Sequence, residues 1–109
     1  MRTNYLILYT GGKPFDNDFD QEEVLKAWDD WYNQIGNALV DAGNPFSTHA
    51  TSITSDGMVA HNSEDCMSTG YSIIQADSLE EAVAMASICP ILKDGAKVSV
   101  YETFDALSL

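Results

Sequence analysis

Basic residues are scarce in this chain, and their scarcity limits what it can bind. Lys and Arg number 5 against 17 Asp and Glu, which gives a formal net charge of -12 at neutral pH. A charge of this sign repels phosphate backbones and anionic lipid surfaces at long range. We therefore expect no nucleic-acid partner and no attachment to a membrane surface.

Marks of secretion and of membrane insertion are also missing. No apolar run approaches the roughly 20 residues that span a bilayer. The apolar start of the chain is too short for an export signal, and Cys66 and Cys89 do not imply a disulfide framework. We expect one domain over residues 1–109, located in the cytoplasm.

Sequence motifs typical of cofactor binding or metal binding are absent as well. Residues 11–13 (Gly-Gly-Lys) follow a predicted strand but lack the rest of a phosphate-binding loop. The acidic run from residue 16 to 22 resembles a calcium loop, but Gln21 stands where the turn glycine is required and Ala27 where the bidentate Glu is required. We expect no cofactor and no bound metal.

Apolar periodicity predicts the order strand, helix, hairpin, strand, helix, strand. The predicted strands cover residues 4–9, 46–55, 58–61, 70–76 and 97–102, and the predicted helices cover 20–43 and 78–89. Gly43 and Pro90 are the expected helix ends. Ser78 and Glu81 have the spacing of a capping box, which predicts the start of the second helix.

Two packed layers satisfy this order as one antiparallel sheet with both helices on one face, a ferredoxin-like α+β sandwich. Strand alternation assigns side chains to the two faces. The helix face is predicted to carry Leu6, Leu8, Ile74, Val98 and Val100, and the open face to carry Tyr5, Ile7, Tyr9, Tyr71, Ile73 and Tyr101. An open face so rich in aromatic residues is expected to pack on a symmetry mate, which predicts a homodimer.

Several segments together resemble the YCII-related family of dimeric α+β barrel proteins. They are residues 4–9, 43–46, 70–74, 76–79, 89–90 and 98–104. The resemblance covers most of the chain and implies a dimeric α+β barrel. Its motifs are mostly turn, cap and core residues, and residues 62–69 replace the Asp-Gly-Pro-Phe motif that many members carry. The resemblance therefore implies a fold more than an activity.

The histidines are candidate site residues because His titrates near neutrality and binds metals. If Asp56-Gly57 forms a two-residue turn, His61 pairs with Ser52 and His49 points to the opposite face, so a shared metal site is not expected. His61 borders a polar loop, and we assign it as a candidate general base with Asp65 as its orienting carboxylate. The alternative is that both histidines are ordinary solvated or hydrogen-bonded strand residues.

A ligand pocket between the sheet and the helices is expected to be lined by Tyr9, Trp28, Trp31 and His49. Trp28 and Trp31 lie three residues apart, on one helix face, and an indole combines an apolar body with a hydrogen-bond donor. Plain core packing is the alternative for this pair.

Two functional hypotheses follow. The first is a small-molecule pocket protein that uses cofactor-free acid/base chemistry. The second is a non-catalytic dimer that senses a ligand or binds another protein.

Overall fold

The computed structural model describes residues 2–11, 21–47, 49–61 and 68–108. The strands are β1 (Thr3–Thr10), β2 (Leu39–Asp41), β3 (Thr51–Ile53), β4 (Val59–His61), β5 (Ser68–Ala76) and β6 (Lys97–Glu102). The helices are α1 (Gln21–Ile35) and α2 (Leu79–Ala86), and short 3₁₀ turns occupy Gly36–Ala38, Pro90–Asp94 and Ala106–Ser108.

In the described part of the chain, the main sheet has four strands in the order β2-β5-β1-β6, and every neighbouring pair is antiparallel. Both helices contribute to a single hydrophobic cluster with β1 and β5, so they lie on the same face of the sheet. This arrangement is the ferredoxin-like α+β fold that the sequence predicts. The shortest dimension of the molecule is 18 Å, as expected for one helical layer on one sheet.

The fourth strand of the sheet is not the one that the sequence predicts. Residues 39–41 continue the helical periodicity of α1, and they were expected to be helical as far as Gly43. In the structure α1 ends at Ile35, and β2 pairs with β5 instead. Tertiary pairing outweighs local periodicity here because Leu39 lies opposite Ile74, at a buried position of β5.

Gly43 ends no helix, but the chain still requires a glycine at this position. Its φ is +71°, and a Cβ on it would lie 1.8 Å from the backbone oxygen of Tyr71. The absence of a side chain therefore lets the segment after β2 lie directly against β5.

The face assignment of β1 was wrong. Tyr5, Ile7 and Tyr9 are the buried residues of this strand and belong to the core cluster. Leu6 and Leu8 are half-buried on the open face of the sheet. Because both alternating sets are apolar, the sequence of β1 does not distinguish its faces, and pairing with β5 and β6 decides the matter.

The core centres on Ile7 and Ile74, both with 0% exposure. Complete burial of a side chain of this size contributes about 2 kcal/mol. α2 begins as predicted, since the Ser78 side chain accepts a hydrogen bond from the Glu81 amide at 3.1 Å. Ala82 and Ala86 of α2 are small enough to bring the helix close to the sheet, and both are buried.

The predicted hairpin exists but does not join the main sheet. β3 and β4 pair with each other as a separate two-stranded sheet. The amide of Thr54 donates to the Met58 carbonyl at 2.9 Å, and the amide of Gly57 donates to the Thr54 carbonyl at 2.9 Å. Three residues therefore lie between Thr54 and Met58, and Gly57 has a φ of +86°. The turn is one residue longer than the two-residue turn that the sequence predicts.

Candidate functional site

Four aromatic rings of β1 and α1 form one cluster on the helix face. Tyr9 contacts Trp28 edge to face with centroids 5.5 Å apart, and Trp28 contacts Trp31 at 5.7 Å. Tyr32 packs against both tryptophans, at 5.9 Å from Trp28 and 5.5 Å from Trp31. The structure thus brings together Tyr9, Trp28 and Trp31, as the pocket prediction requires.

Burial divides this cluster into two core rings and two partly exposed ones. Tyr9 is 3% exposed and Trp31 is 2% exposed, while Trp28 and Tyr32 are half-buried. The indole of Trp31 donates a hydrogen bond of 3.0 Å to the Met85 carbonyl, which joins α1 to α2. Trp31 therefore holds the helical layer together, and the half-buried Trp28 and Tyr32 are the cluster residues that a ligand could reach.

A buried polar chain starts at the Tyr9 hydroxyl. Tyr9 donates to Ser72 Oγ at 2.7 Å, and Ser72 Oγ donates to the Ala42 carbonyl at 2.7 Å. Burial raises the pKa of the Tyr9 phenol far above its usual value, and proximity to Cys89 raises it further. Burial also raises the pKa of the Cys89 thiol. Both groups stay protonated at physiological pH, which suits a structural role better than a nucleophilic one.

An open apolar groove of about 210 Å³ lies between α2 and β6. Its lining residues are Val83, Ala86, Ser87, Leu92, Val98 and Val100. The Ser87 hydroxyl donates to the Ala84 carbonyl at 2.7 Å, so the polar side chain of the lining already has a partner. The groove offers an apolar ligand contact with aliphatic side chains and no charge.

The two histidines lie in and beside the hairpin, not on β1 or α1, which carry the aromatic cluster. His61 is opposite Thr51, and its Nδ1 is 2.9 Å from Thr51 Oγ1. The predicted pairing with Ser52 is therefore wrong by one residue, because the turn is longer. His49 lies two residues before Thr51, outside β3, and is exposed. Strand alternation from Thr51 would put His49 on the side of His61, and not on the opposite face as the sequence predicts.

Asp65, the predicted orienting carboxylate, lies outside the described residues. Within the ranges that the structure describes, no group of three or more His, Cys, Asp or Glu side chains could hold a metal ion. The same ranges contain no helix that is long and apolar enough to cross a membrane.

The face of the main sheet opposite the helices is apolar at its centre. Leu6 lies between Ile73 on one neighbouring strand and Tyr101 on the other, and Leu8 lies between Tyr71 and Ser99. We call this set the open face: Leu6, Leu8, Tyr71, Ile73, Tyr101 and the Phe46 ring, which stacks on Tyr71 with centroids 5.9 Å apart. Tyr101 is 52% exposed and Phe46 is 45% exposed.

Charge is distributed unevenly between the two sides of the molecule. The exposed surfaces of α1 and α2 carry carboxylates such as Glu22, Asp29 and Glu80. On the open face, the alternating positions of β1, β5 and β6 carry no carboxylate, and Lys97 is their charged residue. The nearest carboxylate in register is Asp41, opposite Ile73 on the edge strand β2. Depletion of charge at an apolar surface is typical of an interface centre.

Comparisons with known proteins assign no activity. No family model and no curated protein match the chain. One solved structure with a likeness to it is the crystal structure of an unknown protein from Galdieria sulphuraria, with 8% sequence identity and a TM-score of 0.40 over 97% of this chain and 47% of that one. The chain therefore spans about half the length of that protein. Membership of the YCII-related family stays a prediction.

Several residues of these surfaces were not identified from the sequence. The signal for Ser72 in the sequence is that a polar residue stands within an apolar strand. A polar residue at such a position is typically buried and hydrogen-bonded. The groove residue Val83 lies on α2, and only the packing of α2 against the sheet brings it next to Val98 and Val100 of β6.

Proposed function

We propose that this chain is a non-catalytic binding module that associates with a second copy of itself through the open face. The observation that carries the proposal is the row Tyr101, Leu6, Ile73, which crosses three strands with no described helix above it. Burial of apolar area is the main driving force for association. Because each copy carries a charge of -12, two copies would meet most favourably on a surface without carboxylates.

Sedimentation velocity at micromolar concentration tests this proposal. A dimer is expected for the natural chain. Tyr101→Asp would place a carboxylate in the centre of the interface and is expected to raise the dimer Kd by about 100-fold, since burying an unpaired charge is costly. Ala84→Asp is the matched control, because Ala84 is exposed on α2, on the other side of the molecule. A natural chain that sediments as a monomer would overturn the proposal.

The described geometry favours binding over acid/base catalysis. A general base needs a substrate site that positions it and restricts water. His61 is exposed on the hairpin, and among the described residues its side-chain partner is the Thr51 hydroxyl. His61→Ala is expected to leave the binding properties of the chain unchanged. An activity found with the natural chain and lost in this folded variant would favour the enzyme hypothesis.

The groove between α2 and β6 supports a second candidate function, the binding of a small apolar ligand. Its lining is aliphatic, and it lies between a helix and the sheet, where a pocket was expected, although with different lining residues. An apolar fluorescent probe should bind the natural chain and lose affinity in Ser87→Phe, which would fill the groove from its exposed rim. Equal binding by both proteins would place the probe elsewhere.

A further inference from the structure

The hairpin of β3 and β4 has a partly apolar face that the other described elements leave exposed. Ile53 and Val59 are paired across the two strands and are 73% and 53% exposed. Thr51 and His61 lie on the same side by strand alternation. We call this set the hairpin face: Thr51, Ile53, Val59 and His61. Among the described elements, β3 and β4 make extensive contact only with each other.

An isolated two-stranded hairpin is marginally stable in water, so this segment needs a surface to pack against. Exposure of the Ile53 and Val59 side chains to water is unfavourable. The hairpin face is partly hydrophobic and partly polar, and such a surface packs more favourably on a sheet face than it is solvated by water. The chain offers such a surface in its open face, which is also apolar and uncovered by any described helix.

We propose that the hairpin is an exchanged arm: the hairpin face of each copy packs on the open face of the other copy in a two-fold symmetric dimer. The inference rests on the proposed function, because it names the segment that completes the interface between two copies. In such a dimer each chain supplies one hairpin face and one open face, and both contacts are repeated by symmetry.

The area and the charge of the two surfaces agree with this pairing. Their apolar side chains expose on the order of 600 Å² per copy, close to the ~800 Å² per partner of a standard stable interface. The hairpin strands carry no carboxylate, and Asp56 lies at the tip of the turn. Lys97 is the charged residue on the alternating positions of β1, β5 and β6 that face the arm. The contact therefore brings together no pair of like charges along these strands.

Disulfide trapping between two different variants tests the arm directly. One protein carries Ile53→Cys and the other carries Ser99→Cys, a position on the open face opposite Leu8. Both also carry Cys66→Ser, and the natural Cys89 is buried at 2% exposure. After mixing and mild oxidation, a covalent heterodimer is expected. Ile53→Cys mixed with Ala84→Cys is the control, because Ala84 lies on the helical side, and it should give little covalent product.

A charge substitution gives an independent measurement of the same contact. Ile53→Asp is expected to raise the dimer Kd by about 10-fold or more, while Ala60→Asp, on the other side of the same hairpin, should leave it nearly unchanged. Both positions are exposed, so neither change disturbs the core.

The outcomes separate this inference from the proposed function. A dimer that is weakened by Tyr101→Asp but unaffected by Ile53→Asp, and that gives no heterodimer, overturns the arm and leaves the open-face interface standing. A disulfide that closes within one chain of an Ile53→Cys, Ser99→Cys double variant shows that the hairpin covers its own sheet, and also overturns the arm. A natural chain that is monomeric overturns both.

Discussion

The Tyr9 hydroxyl donates a 2.7 Å hydrogen bond to Ser72 Oγ across neighbouring strands, inside the apolar core. The Ser72 hydroxyl in turn donates a hydrogen bond to the Ala42 carbonyl, just after β2. The described residues contain no buried side-chain polar atom without a partner. This short polar chain therefore connects the middle of the sheet to the segment that leads to the hairpin.

Removing Ser72 should cost more than removing the Tyr9 hydroxyl. Ser72→Ala leaves both the phenol and the Ala42 carbonyl without their partner and should lower the free energy of unfolding by about 2–3 kcal/mol. Tyr9→Phe leaves the bond from Ser72 to Ala42 in place and should cost about 1 kcal/mol. Urea denaturation measures both. The double variant should lose less than the sum, and simple additivity would show that the two hydroxyls are not coupled.

Gly43→Ala should be among the most damaging single changes in this chain. The new Cβ would lie 1.8 Å from the Tyr71 oxygen, and the residue would have to keep a φ of +71°. We expect a loss of about 3 kcal/mol or more, measured by thermal or urea unfolding.

Gly57→Ala is the matched control for that prediction. Its φ is +86°, but no atom lies within 4 Å of the new Cβ. Only the backbone preference is lost, which costs about 1–2 kcal/mol. Equal losses at both positions would mean that the close contact with β5 is not what requires Gly43.

Trp31 should contribute more to stability than its neighbour Trp28. Trp31→Phe removes the 3.0 Å bond to the Met85 carbonyl and part of a buried ring, and should cost about 2 kcal/mol. Trp28→Phe changes a half-buried ring and should cost less than half as much. Urea denaturation followed by far-ultraviolet circular dichroism compares the two. A larger loss in Trp28→Phe would contradict the assignment of Trp31 as the link between the helices.

The turn of the hairpin should loosen at low pH. The Thr54 hydroxyl and the Met58 amide both donate to Asp56, and these bonds hold the pKa of its carboxyl below the usual value of 3.8. Their contribution is present above that pH and is lost as the pH falls through the lower pKa of the folded chain. The protection factor of the Met58 amide, which compares its exchange rate with the intrinsic rate at the same pH, should therefore fall on acidification. Asp56→Asn should abolish this acid-dependent step, and a step that persists in the variant would point to another group.

Local chemistry settled some of these features from the sequence alone. The Ser78 and Glu81 spacing places the start of α2 because a capping bond joins residues three apart and needs no other element. Trp28 and Trp31 share a helix face for a similar reason. Asp56-Gly57 marks a turn in either register, since both residues favour turn geometry.

Tertiary structure decided the features for which the local sequence pattern favoured no alternative or the wrong one. Both alternating sets of β1 are apolar, so only pairing with Ile74 and Val98 buries Tyr5 and Tyr9 rather than Leu6 and Leu8. Residues 39–41 fit a helix by period, yet pairing with β5 makes them a strand. The register of His61 depends on one extra turn residue, and a shift of one residue reverses every face of a strand. The sequence by itself determined the segments whose caps, turns and periodicity act over a few residues, such as β1, β5, α2 and β6, but not β2. Only long-range strand pairing decided which faces are buried, because the alternative face assignments differ in the apolar area that they bury.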